Sequence, residues 1–140
     1  MKTAEKEAIR WMQQSEDDFK FVQWLLGEKA FFDKGCFIAQ QAGEKALKAC
    51  LYALGERRVI GHSLFELANQ LDQRDSRFAA LVDEAKKLDR FYIPTRYPNG
   101  LPGGSPFQVF DHQDLKAAVD ALQQVMTVCR RFLAEKSISY

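Results

Sequence analysis

The sequence predicts an all-α protein, an antiparallel bundle of about five helices with one long Pro/Gly-rich loop before the last helix. Three observations carry this expectation. Apolar residues recur at three- and four-residue steps through most of the chain, the spacing that lines one face of a helix. No segment shows the period-two alternation of a half-buried strand, and the β-branched residues are scattered. All four prolines, Pro94, Pro98, Pro102 and Pro106, fall in a single stretch, so the remaining chain is free of helix breakers.

The first helix is expected from about Thr3 to Glu28, with Ala8, Trp11, Ser15, Phe19, Val22 and Leu26 on its core face. The second runs from about Asp33 to Leu54 on a stripe of Cys36, Ala39, Gly43, Leu47, Cys50 and Leu54. A mid-helix glycine costs roughly 1 kcal/mol relative to alanine, so Gly43 implies that another helix approaches closely there. Gly55 is placed to end this helix as a C-terminal cap. Ser63-Leu64-Phe65-Glu66 has the S-x-x-E pattern of a capping box and opens a third helix that ends near Asp72. A fourth begins at Asp75 or Ser76, carries Phe78, Leu81, Val82, Ala85, Leu88 and Tyr92, and must stop before Pro94. The prolines and Gly100, Gly103 and Gly104 make IPTRYPNGLPGGSPFQVF a long loop, of a length often kept for function. Asp111 can cap a last helix to about Glu135, with Leu115, Ala118, Leu122, Val125, Cys129 and Phe132 inward. The tail from Ser137 to Tyr140 is expected to fray.

The 140 residues, 46% of them hydrophobic, suit one domain (1–140) with a core that needs no metal or disulfide. A net charge of +1 gives no reason to expect a general DNA binder or a membrane-surface binder, so an anion site must come from a local cluster. Cys36, Cys50 and Cys129 lie on apolar stripes, which suits buried thiols in a reducing, cytoplasmic compartment. His62 and His112 do not pair with them at zinc-ligand spacing. The N-terminus lacks the apolar run of a signal peptide, and no stretch approaches the roughly 20 apolar residues of a membrane span. Phosphate-loop, serine-hydrolase and zinc-protease motifs are absent, and no cofactor is implied.

Three clusters remain as candidates. Gln41, Glu44, Lys45 and Lys48 share a face of the second helix, either as a solvated surface or as a phosphate-binding one. Lys86, Lys87, Arg90, Tyr92, Arg96 and Tyr97 interleave cations with aromatic rings. Rings can stack on a base and arginine can pair with phosphate, although cations at a helix C-terminus also suit its dipole. Arg57 and His62 are weak catalytic candidates, because a histidine that moves a proton needs a positioned partner.

Three segments taken in order resemble the HEPN family. CFIAQQAGEKALKACLYALG is similar to its second helix. Gly61-His62-Ser63-Leu64-Phe65-Glu66-Leu67 is similar to the motif opening its third. The run from Leu88 to Asn99, with its Arg96-Tyr97-Pro98, is similar to a segment of one branch. Trp11 and Asp18 fall where that branch has an aromatic and an acid. The branch includes stand-alone prokaryotic proteins and the C-terminal domain of the chaperone-like protein sacsin.

The resemblance implies a homodimeric, non-catalytic, nucleotide-binding (ATP or GTP) module. Its site would be built from Lys45, Lys48, Arg90, Tyr92, Arg96 and Tyr97, and its partner would be a chaperone or a nucleotidyltransferase. Other members are metal-independent ribonuclease toxins with an Arg and a His four to six residues apart, a spacing that Arg57 and His62 fit. In those members the motif lies later in the chain, where here no His follows Arg96 at that distance. A third reading is a pure interaction and dimerisation module.

Overall fold

The computed structural model describes residues 3–140. Five longer helices form: α1 (Thr3–Glu28), α2 (Phe32–Ala53), α3 (Leu64–Asp72), α4 (Val82–Asp89) and α6 (His112–Glu135). A one-turn helix, α5 (Pro106–Val109), and two 3₁₀ turns, Ser76–Leu81 and Pro98–Gly100, complete the secondary structure, and no strand occurs among the described residues.

A three-residue connection folds α1 back along α2. Leu25 meets Gly35, Asp18 meets Lys45 and Trp11 meets Tyr52, the reversed order of an antiparallel hairpin. Helix α6 packs on α2 in the same direction, with Leu115 at Gly35 and Leu122 at Gly43. The chain reaches that position by crossing through α3, α4 and the proline-rich connection.

Helix α2 is central, which its sequence explains. Ala39, Ala42, Ala46 and Ala49 are fully buried and, with Gly35 and Gly43, keep it thin enough for neighbours on several sides. A Cβ on Gly43 would stand 2.5 Å from Leu64 Cδ2 and 3.3 Å from Leu88 Cδ1, so the close approach expected there is made by α3 and α4.

The structure corrects several details. On α1 Met12 and Leu25 are buried in the core, while Trp11 and Leu26, expected there, are half-buried. The fourth helix is a 3₁₀ turn running into α4 and stops at Asp89, so Tyr92 lies beyond it. The proline-rich segment is not wholly irregular, since it holds the one-turn α5, where Gln108 Oε1 accepts from the Ser105 amide at 3.0 Å.

Ser63 accepts from the Glu66 amide at 3.2 Å, as a capping serine should. Glu66 makes no return bond, and Asp89 of α4 takes up the next amides instead. Its carboxylate accepts from the Ser63 hydroxyl (2.8 Å) and from the amides of Leu64 (2.8 Å) and Phe65 (3.0 Å). One aspartate therefore caps α3 and ties it to the end of α4.

The tail is anchored rather than frayed. Ile138 is buried, and the Tyr140 hydroxyl donates to Glu16 at 3.0 Å beside the two-pronged Arg130–Glu16 pair. Burial and the neighbouring carboxylate push the Tyr140 phenol up to about 12. Cys36, Cys50 and Cys129 are buried and free, and burial raises the thiols of Cys36 and Cys50.

Candidate functional site

Gln40, Glu44, Lys48 and Tyr52 follow one another at four-residue steps and form a polar ladder along α2. All four are buried, because the connection from Gly55 to Ser63 lies across them. Gln40 Nε2 donates to the His62 carbonyl at 2.8 Å, and the Val59 amide donates to the Tyr52 hydroxyl at 3.3 Å. Glu44 sits between these clamps. One of its oxygens is 3.2 Å from Lys48 Nζ and the other 3.2 Å from His62 Nδ1. Lys48 Nζ also lies over the Trp11 ring, 5.2 Å from its centroid. A buried lysine is tolerated here because a carboxylate and an aromatic face replace its water.

Lys45 is committed as well. It leans to α1 and meets Asp18 at 2.5 Å, with only 24% of its side chain exposed. Glu44, Lys45 and Lys48 thus form internal ion pairs rather than a row of free charges, and Asp18 completes the second pair. Within the polar stripe seen in the sequence, only Lys45 and Gln41 retain partial exposure.

The segment after α4 is different. Arg96 Nε donates to the Tyr92 carbonyl at 2.8 Å, a local bond that fixes the guanidinium. Its central carbon lies 4.5 Å from the Phe37 ring, 4.5 Å from the Tyr92 ring and 5.2 Å from the Tyr97 ring. Three aromatic rings therefore hold one arginine in place. Among the described residues no carboxylate pairs with it, and its two terminal nitrogens make no hydrogen bond. The turn that carries it is pinned from within by the buried Thr95, whose hydroxyl donates to the Phe91 carbonyl.

Tyr92 joins the two regions. Its ring stacks on His62, with centroids 5.4 Å apart and an 18° interplanar angle. The chain of contacts runs Trp11, Lys48, Glu44, His62, Tyr92, Arg96. Lys45 pairs beside it with Asp18, and Tyr97, 51% exposed, forms its outer edge.

Arg90 is exposed just past α4 and has no ion-pair partner among the described residues. Arg57 does not join His62. It opens on a pocket with Thr3, Glu7 and Tyr52, whereas His62 opens on a separate one with Ser63, Asp89 and Tyr92.

Sequence reasoning missed Phe37, which sits under Arg96, and the partners Glu44 for His62 and Asp89 for Ser63. The four-residue step from Gln40 through Glu44 to Lys48 was visible in the sequence. Which side of α2 it faced was not, because that depends on the connection folding over it. A proton on His62 Nδ1 would bond to Glu44 and leave Nε2 outward as an acceptor, the arrangement in which a buried carboxylate orients an imidazole.

Comparison with known proteins agrees with this architecture. The HEPN domain family profile matches residues 8–132. TT1696 from Thermus thermophilus is 33% identical over 90% of this chain and 98% of that one, with a TM-score of 0.83. The archaeal HEPN homologue ST0689 is 25% identical (94% and 98% covered, TM-score 0.71). The HEPN domain protein tm0613 from Thermotoga maritima is 26% identical (89% and 98% covered, TM-score 0.70). No curated protein matches the chain. No helix of the described residues is long and apolar enough to cross a membrane. With the profile covering most of the chain and the helical architecture shared by these structures, the chain belongs to the HEPN family.

Proposed function

We propose that this HEPN domain is a non-catalytic nucleotide-binding module that works as a homodimer. Arg96 carries the reading. It is a guanidinium held by three rings and one carbonyl, with two nitrogens free for an anion. Such a fork matches two phosphate oxygens and has already lost most of its freedom, so binding orders little more. Exposed Arg90 adds charge, and Tyr97 offers a face on which a base can stack. Tyr92 and the His62–Glu44 pair support this platform. Lys45 and Lys48 contribute by bracing α1, α2 and the 55–63 connection rather than by touching phosphate. The segment from Leu88 to Asn99 supports the branch that includes the sacsin C-terminal domain, and with it a chaperone-type partner, whereas a nucleotidyltransferase partner goes with the toxin–antitoxin alternative.

The test is calorimetric titration with ATP and GTP. A charge-assisted hydrogen bond is worth about 1.5–3 kcal/mol, so Arg96→Ala should weaken binding roughly 10- to 100-fold. No measurable heat with wild type at millimolar nucleotide would end the proposal.

One observation favours a second reading, cleavage of RNA. His62 is oriented by buried Glu44, as a general base requires. Arg96 lies on the same Tyr92 ring that stacks on this imidazole, so the pair would be His62 with Arg96 rather than with Arg57. RNA cleavage lost in both His62→Ala and Arg96→Ala but kept in Arg57→Ala would establish it.

A further inference from the structure

The concavity beside Arg96 is one-sided in its hydrogen bonding. It encloses about 380 Å³ and is lined by His62, Ser63, Asp89 and Tyr92. Tyr92 is shared with the arginine. The guanidinium carbon lies 4.5 Å from its ring, and the His62 ring stacks on it at 5.4 Å. A ligand whose phosphates meet Arg96 therefore has this concavity within reach of its other end.

The lining groups have fixed polarities. The Glu44 carboxylate can only accept, so the His62 Nδ1 that faces it at 3.2 Å carries the proton. Nε2 of the neutral ring is then an acceptor, on a side chain that is 62% exposed. Asp89 accepts twice at Oδ2, from the Ser63 hydroxyl and the Phe65 amide. It accepts once at Oδ1, from the Leu64 amide, which leaves that oxygen a second lone pair. The Ser63 proton is spent on Asp89, so its oxygen too can only accept. The Tyr92 hydroxyl rotates and can donate or accept, so it discriminates little. The fixed capacity left in the concavity is all acceptor.

Such a set requires neighbouring donors on the ligand. Among the common bases only guanine carries two donors side by side on one edge, N1–H and the 2-amino group. Adenine and cytosine each set one amino group beside a bare nitrogen, whose lone pair would here face other lone pairs. Uracil sets one N–H between two carbonyls. Tyr97 also lies close to Arg96, but a stacked ring takes any base, and hydrogen-bonding groups are what tell bases apart.

We propose that the concavity of His62, Ser63 and Asp89 is a base-selecting subsite, in which His62 Nε2 and the Asp89 carboxylate accept from the N1–H and 2-amino group of guanine. The proposal rests on the nucleotide-binding reading above and names the base which that site selects. Arg96 holds the phosphates of any nucleotide, and the concavity adds its bonds for guanine alone. Loss of a partner at a polar site leaves its acceptors unmatched, which is why such sites discriminate better than apolar ones.

The experiment is calorimetric titration of wild type and His62→Phe with guanosine, inosine and adenosine triphosphates, with circular dichroism to verify folding. Inosine keeps N1–H and lacks the 2-amino group. Wild type should bind the guanosine nucleotide at least about tenfold tighter than the adenosine one, roughly the worth of one hydrogen bond to a charged group, with inosine between them. His62→Phe keeps a ring against Tyr92 and removes the acceptor. It should bring guanosine and adenosine nucleotides to within about threefold of each other, with little change in adenosine affinity. A wild type that binds none of the three overturns the nucleotide-binding reading and this subsite together. Equal or tighter binding of the adenosine nucleotide overturns the subsite and leaves the nucleotide-binding reading standing. A folded His62→Phe that keeps the full guanine preference overturns the subsite as well, because the selection then comes from elsewhere.

Discussion

The two ends of the outward face of α2 carry similar residues in opposite situations. Toward its C-terminus, Lys45 and Lys48 are locked to Asp18 and Glu44, and Lys48 is almost wholly buried. Toward its N-terminus, Arg96 rests on Phe37, Tyr92 and Tyr97 with no acid beside it. Both regions look like phosphate sites by composition. Only the second has charge left to offer, and the first is a brace. A cation's availability is decided by the carboxylates that the fold brings to it, which here come from α1 and from one turn earlier on α2.

The comparison breaks most visibly at Glu44. Glu44→Ala strands Lys48 in the interior and should cost about 3–5 kcal/mol in urea denaturation. Replacing both partners, as Glu44→Leu with Lys48→Met, should recover most of that loss, because apolar side chains of similar size fill the site without charge. A double variant no more stable than Glu44→Ala would show that the ladder matters through its hydrogen bonds to the 55–63 connection.

Arg96→Ala should behave in the opposite way. It should leave stability within about 1 kcal/mol, since the residue is half-exposed and unpaired by acids, while removing most of the nucleotide affinity. A large loss of stability would make Arg96 structural.

Gly43→Ala gains helix propensity but drives a methyl group into Leu64 and Leu88. The packing term is the larger, so a net loss of about 1–2 kcal/mol is expected by thermal or urea unfolding.

The smallest effect concerns acid. Arg130's side-chain hydrogen bonds, the leading influence, hold Glu16 below its ordinary value of 4.5. A depressed carboxyl stabilises the fold fully above the unfolded value, and that stabilisation fades as pH falls through the lower folded one. Stability should therefore drop below about pH 4.5, and Arg130→Ala should flatten this part of the pH profile. An unchanged slope would mean that other carboxylates set the acid limit.

The helices and their inward faces were legible because periodicity is local. Gly43 could even be read as a contact before the contacting residues were known. The third helix shows where that ends. Ser63 and Glu66 announce a cap, but the acid that completes it is Asp89, remote in sequence and on another helix. The tail was misread for a similar reason, since nothing around Tyr140 reveals Glu16. In the candidate site, Lys45, Lys48, Arg90, Tyr92, Arg96 and Tyr97 stand out in the sequence as chemistry-bearing types. Their division into braced and free rests on Asp18, Phe37 and the path of residues 55–63, which only the tertiary structure supplies.

The most direct test sets one cation from each region against the other. ATP titrations of Lys45→Ala and Arg96→Ala should give an affinity within about twofold of wild type for the first and at least about tenfold weaker for the second. The reverse order, with Lys45→Ala losing binding and Arg96→Ala keeping it, would contradict the division of α2 into a brace and an open site.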